Sequence, residues 1–159
     1  MGVGRTQGPR RDEELLTPAL VLEAVRKIGP AAAQPFYRAL AAGNAPDERA
    51  EAAIGLADAA ADDRTDSLKI LRNLAGDADL MVRIRATTSL LLLDEPGMDT
   101  TLSERLASGD DHERGEILSQ LARLPKERLA FFRKEIEAIA GKDREPEYLR
   151  QRAAALSRK

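Results

Sequence analysis

Apolar residues recur along this chain at three- and four-residue spacing, in short runs that Gly, Pro and Asp repeatedly interrupt. That period puts the apolar positions on one face of a helix, and no run alternates as a half-buried strand would. Reading caps and breakers predicts about nine helices. The first begins at Thr17, with Pro18 in its first turn where a missing amide hydrogen costs nothing, and ends near Gly29-Pro30. The second runs from about Ala31 to Ala42, the third starts near Asp47, and the fourth is "RTDSLKILRNLAG", stopping at Gly76. The fifth covers Asp79 to Leu93 and is closed by Glu95-Pro96-Gly97. The last four fall near Asp99 to Ser108, Asp111 to Leu124, Lys126 to Ala140 and Pro146 to Ser157. Short connections make consecutive helices antiparallel neighbours.

Four helix ends look alike: "ALAAG", "NLAG", "RLASG" and "AIAG". Leu40, Leu74, Leu106 and Ile139 occupy matching places in them, at steps of 34, 32 and 33 residues. A glycine ends each, a residue able to take the left-handed conformation that caps a helix end. The helix that follows carries an early arginine with apolar residues at +3 and +7, on one face: Arg49/Ala52/Leu56, Arg83/Ala86/Leu90 and Arg114/Ile117/Leu121. In the last unit Arg150 is followed by Ala153 but by Ser157 at +7, as a terminal repeat with a solvated outer side would be.

From about Ala31 onward the chain therefore resembles the HEAT and HEAT-like family of helix-pair repeats, the PBS-lyase type included. "GDADLMVRIRATTSLLL" carries the fullest match, an Asp turn and a Val-Arg start to an Ala/Leu-rich second helix. Only Val82-Arg83 keeps the Val-Arg pair, and the third unit is short. The resemblance implies an all-α superhelix, a short right-handed solenoid of antiparallel helix pairs with the second helices on its concave side. Residues 15–159 would form one such domain of about four pairs plus an N-terminal capping helix, and residues 1–14 a flexible basic tail.

The acids beside each arginine are Asp47 before Arg49, Asp77 and Asp79 before Arg83, Asp110 and Asp111 before Arg114, and Asp143 before Arg150. An aspartate at a helix start accepts otherwise free amide hydrogens and sits well in the helix dipole, contributing roughly 0.5 to 2 kcal/mol. The resemblance adds that the arginines tie neighbouring units into a ladder of Asp47, Arg49, Asp77, Asp79, Arg83, Asp110 and Arg114. Leu90 to Leu93 cover all sides of one turn, so that helix is expected to be buried on several faces.

Composition narrows the chemistry. The 159 residues are 43% hydrophobic and 33% charged but only 3% aromatic, with no Cys and a net charge of −2. An Ala/Leu/Ile/Val core suits close helix packing, while a disulfide framework and thiolate sites are ruled out. Net charge gives no overall attraction to polyanions. No run of 18 apolar residues is present, so no spanning segment and a cytoplasmic location are expected. Gly2 with Thr6 fits a short N-acylation pattern that a solvated basic tail explains equally well.

No catalytic constellation emerges. His112 is the sole histidine, and one His-Glu pair cannot supply the two-iron site of HEAT-like deoxyhypusine hydroxylases. Asp110, Asp111 and Glu113 lack calcium-loop spacing. Neither a serine elbow, a Ser-x-x-Lys pair in context, nor a phosphate loop occurs. The chain has no Trp for the aromatic groove of HEAT-like DNA glycosylases, and no residue points to the phycobilin chemistry of HEAT-like lyases. No enzyme activity, metal or cofactor is expected.

Positions +2, +6 and +9 from each arginine give the face opposite the structural one. They read Glu51, Gly55, Asp58, then Arg85, Ser89, Leu92, then Glu116, Gln120, Arg123. As a solvent-facing stripe of mixed charge, Glu51, Asp58, Arg85, Ser89, Glu116, Gln120 and Arg123 suit a protein segment better than a polyanion. The alternative is nucleic-acid binding through Arg144, Arg150, Arg152, Arg158 and Lys159 with the N-terminal arginines, or a HEAT-like lyase or accessory role. Charge also shifts along the chain: residues 47–66 carry seven acids and two bases, residues 142–159 six bases and three acids. Partner identity and oligomeric state stay open.

Overall fold

A computed structural model describes residues 23–25, 27, 29–60 and 63–159. The tail, most of the first predicted helix and the acylation pattern lie outside them, although residues 23–25 and 27 are helical. The described chain is all-helical and contains no strand. Its helices are α1 (Pro30–Ala41), α2 (Pro46–Asp58), α3 (Arg64–Leu74), α4 (Leu80–Leu92) and α5 (Met98–Ser108). They continue with α6 (Asp111–Leu121), α7 (Lys126–Leu129), a 3-10 turn (Ala130–Phe132), α8 (Arg133–Ala140) and α9 (Glu147–Ser157).

Helices α1/α2, α3/α4, α5/α6 and α8/α9 pack as consecutive pairs, and α2, α4, α6 and α9 pack on one another in that order. On the other side α1 touches α3, and α5 touches α8 and the 3-10 turn. Two buried clusters result. One joins Tyr37, Ala53, Leu56, Leu71 and Leu90, the other Leu102, Ile117, Leu121, Phe132 and Leu149. Helix α4 feeds both, with Val82, Ala86 and Leu90 in the first and Ile84 and Leu91 in the second. Its burial on several faces follows from that central place.

The turns are built from aspartates, as helix starts require. Asp63, Asp79 and Asp110 each accept the amide hydrogen of the residue three positions on, at 3.1, 3.1 and 2.8 Å. Asp47 lies in the first turn of α2, where Ala45 is the N-cap. Asp77 is not a cap either; it accepts the Asp79 amide at 2.8 Å.

The glycines that end the repeats do not work as expected. Among the described residues Gly29 and Gly97 have positive φ, and Gly43, Gly76, Gly109 and Gly141 do not. Gly109 is needed for close approach instead, since a Cβ there would lie 2.6 Å from the Arg105 carbonyl oxygen. The left-handed cap falls to Asp94, at φ 60, which ends α4. Its amide donates to the Leu91 carbonyl and that of Glu95 to the Leu90 carbonyl, both at 3.0 Å, a Schellman arrangement. Arg64 donates to the Leu93 carbonyl, and Arg128 adds a second donor to that of Leu91.

Two boundaries also differ from the pattern. Helix α6 stops at Leu121, and the chain turns through Leu124 into Pro125, which disfavours helix in the residue before it. The segment expected as one helix to Ala140 tightens into a 3-10 turn at Ala130–Phe132. Phe132 is wholly buried there, edge-on to exposed Phe131.

Candidate functional site

Each second helix places an arginine four residues after its N-cap: Arg49 after Ala45, Arg83 after Asp79, Arg114 after Asp110 and Arg150 after Pro146. From there the guanidinium folds back over its own turn. Arg49 Nη1 donates to the Gly43 and Asn44 carbonyls at 3.2 and 2.8 Å, and Arg83 Nη1 to those of Asp77 and Ala78, both at 2.8 Å. The opposite edge of Arg49, Nε and Nη2, grips the Asp77 carboxylate of the following turn at 2.7 and 2.9 Å. Arg114 reaches Glu145 at 2.7 Å, and Arg150 lies 3.9 Å from Asp143.

The ladder is therefore incomplete. Asp110 is occupied as a cap, and among the described residues Arg83 makes no ion pair and Asp47 takes no rung. The acid that receives Arg114, Glu145, lies outside the aspartate pattern. Hydrogen bonding to Asp77 raises the Arg49 pKa above its usual value, and the same bond holds the Asp77 carboxyl below the usual carboxylate range.

The opposite face gathers most of the mixed-charge stripe into one network. Arg85 Nε donates to Glu116 Oε1 at 3.4 Å, and Arg85 Nη1 lies 3.9 Å from Glu51 Oε2. Gln120 Nε2 donates to the same Glu116 oxygen at 3.0 Å. Arg123 Nη1 donates to Gln120 Oε1 at 3.3 Å, and its Nη2 lies 3.9 Å from Asp58. Six side chains of α2, α4, α6 and the turn after it are thus linked. Burial lowers the Arg123 pKa, with nearby Arg85 adding to the effect and Asp58 and Glu51 opposing it.

Asp58 is exposed as the spacing implied, but the other members of the network are not solvent-facing. The side chains of Arg85, Glu51, Glu116 and Arg123 are mostly covered, and Gln120 is buried. Ser89 is fully buried, and its hydroxyl has no hydrogen-bond partner among the described residues. Gly55 is buried against Tyr37. The cause is the packing of α2, α4 and α6 side by side, which closes the seams between their faces.

Helix α9 extends this face with residues the pattern missed. His112, Gly115, Glu116, Tyr148 and Arg152 line a shallow recess. Arg152 Nη1 donates to the Gly115 carbonyl and Ser119 Oγ, both at 2.8 Å, and lies over the Tyr148 ring at 5.9 Å. Tyr148 is 45% exposed. The +2 rule from Arg150 gives Arg152, so the signal was present in the sequence. Of the cations of the nucleic-acid alternative, Arg150 lies 3.9 Å from Asp143, Arg158 donates to the Ala154 carbonyl, and Arg152 and Lys159 donate to the carbonyls of Gly115 and Ala122, while the N-terminal arginines lie outside the described residues. Among the described residues no group of His, Asp and Glu is arranged to hold a metal, and no helix is long and apolar enough to cross a membrane. Comparison with protein-family models, curated proteins and solved structures finds no match.

Proposed function

We propose that the chain is a short HEAT-like α-solenoid that acts without catalysis, holding a protein segment against the charged face of α2, α4, α6 and α9. The observation that carries this reading is the loose bonding of its central arginines. An arginine has five N–H donors. Arg49, in the structural ladder, makes four hydrogen bonds of 2.7 to 3.2 Å. Arg85 and Arg123 make one each, at 3.4 and 3.3 Å, and their acidic neighbours otherwise stand off at 3.9 Å. Partly desolvated charges with unspent donors gain more from a well-placed partner group than fully hydrated ones do. The four repeat arginines at one helix position, and the stacking of the second helices, support the solenoid reading.

The alternation of acids and bases favours a polypeptide carrying both signs over a polyanion. The test is affinity capture from the native host, followed by binding of the purified partner to the wild type and to a charge-swapped variant. Arg85→Glu with Glu116→Arg keeps an internal pair but inverts the pattern. Loss of binding at least tenfold, with helicity unchanged, is expected; equal binding overturns the assignment of this face.

A further inference from the structure

The geometry points to a phosphate-binding site at Arg83, where the arginine ladder lacks its acid. Arg49 and Arg83 are equivalent down to the atom. Each stands four residues after its N-cap, and each spends Nη1 on the two carbonyls just before that cap. In Arg49 the remaining Nε–Nη2 edge holds a carboxylate with two short bonds. In Arg83 the same edge has no acceptor among the described residues.

The reason is the length of the third turn. Asp77 sits two residues before the N-cap Asp79, but two residues before the next N-cap, Asp110, stands Ser108, the last residue of α5. Its hydroxyl donates to the Glu104 carbonyl at 2.8 Å. The other acids nearby are committed. Asp77 is held by Arg49, Asp79 caps Val82, and Glu113 accepts from Arg105 at 2.7 Å.

A recess of about 110 Å³ lies beside Arg83, between α4 and α5. Arg83 and Arg105 line it, together with Ile84, Thr87, Thr101 and Leu102. A single water needs roughly 10–15 Å³, so the space admits a larger guest. A guanidinium edge presents two parallel N–H groups that match the spacing of oxygens on a carboxylate or phosphate. The second cation, Arg105, uses one N–H on Glu113 and keeps the others for the guest. Two arginines around one recess suit the higher charge of phosphate over a monocarboxylate. The site lies on the structural side of the second helices, so it is independent of the proposed partner face.

Titration of the full chain with inorganic phosphate, at ionic strength held with chloride and followed by arginine Nε–H resonances, tests the site. Saturable shifts at Arg83 and Arg105 are expected. Arg83→Gln is expected to weaken binding by about tenfold or more, the scale of a lost charge-assisted pair. Ser108→Asp puts a carboxylate two residues before the Asp110 cap, the sequence position that Asp77 holds before the Asp79 cap. It is expected to abolish phosphate binding while raising the melting temperature, so the result does not depend on whether Arg83→Gln folds well. Absence of saturable shifts, undiminished binding by Ser108→Asp, or equal affinity for acetate would each overturn the phosphate site.

Discussion

Arg49 of α2 grips Asp77, in the turn before α4, through two parallel hydrogen bonds of 2.7 and 2.9 Å, while its third nitrogen closes its own turn. One side chain thereby fixes the geometry of a turn and the spacing of two helix pairs. Both side chains are more than four-fifths covered. A double-mutant cycle of Arg49→Gln and Asp77→Asn should show strong coupling: each single change lowers the melting temperature, and the second adds little to the first. Additive losses would mean that the pair acts separately.

The same contact sets a direction for acid sensitivity. Asp77 is held below the usual carboxylate value by its bonds to Arg49, so the folded chain binds fewer protons there than the unfolded one. That contribution to stability is complete above the unfolded carboxylate pKa, about 3.9. It is lost as pH falls through the lower folded value. Urea midpoints measured from pH 6 down to pH 2 should therefore fall more steeply in the wild type than in Asp77→Asn. Parallel curves would separate Asp77 from the acid transition.

Much of this architecture is legible in the sequence because it rests on local rules. Helices end where Gly, Pro and Asp interrupt the apolar period, and Arg49, Arg83 and Arg114 align because one turn chemistry repeats. What escapes is set by contacts distant in sequence. Asp94 rather than a repeat glycine takes the left-handed cap, and Arg64 and Arg128 come from other elements to finish it. Spacing alone put Ser89 and Gln120 on a solvated face, but the side-by-side packing of α2, α4 and α6 buries both. Counting from Arg49 could not show that Arg83 would find no acid, because that depends on a third turn three residues shorter than the second.

Gly55 gives a case where two effects oppose. Alanine in a helix interior is favoured over glycine by about 1 kcal/mol. A Cβ at Gly55, however, would lie 2.2 Å from the Tyr37 ring, inside a buried contact between α1 and α2. Overpacking of that kind costs typically 1–3 kcal/mol, so Gly55→Ala is expected to destabilise on balance. Adding Tyr37→Leu should recover much of the loss in urea denaturation. A Gly55→Ala chain more stable than the wild type would show that the ring has room to move.

Ser89 decides whether the buried centre of the charged face serves packing or a partner. Its neighbours Thr87 and Thr88 donate their hydroxyls to the carbonyls of Arg83 and Ile84, one helical turn back, at 2.8 and 3.0 Å. The Ser89 hydroxyl makes no such bond and is fully covered. A buried hydroxyl without a partner costs roughly 1–3 kcal/mol, and alanine is also the better helix former. Ser89→Ala removes one oxygen and leaves little void, so it is expected to stabilise the chain by about 1 kcal/mol. Binding of a captured partner should be unchanged, since the partner meets Arg85, Glu116 and Arg123 instead. Weaker binding by a more stable Ser89→Ala chain would move the hydroxyl from the core to the binding face, with the helices parting to expose it.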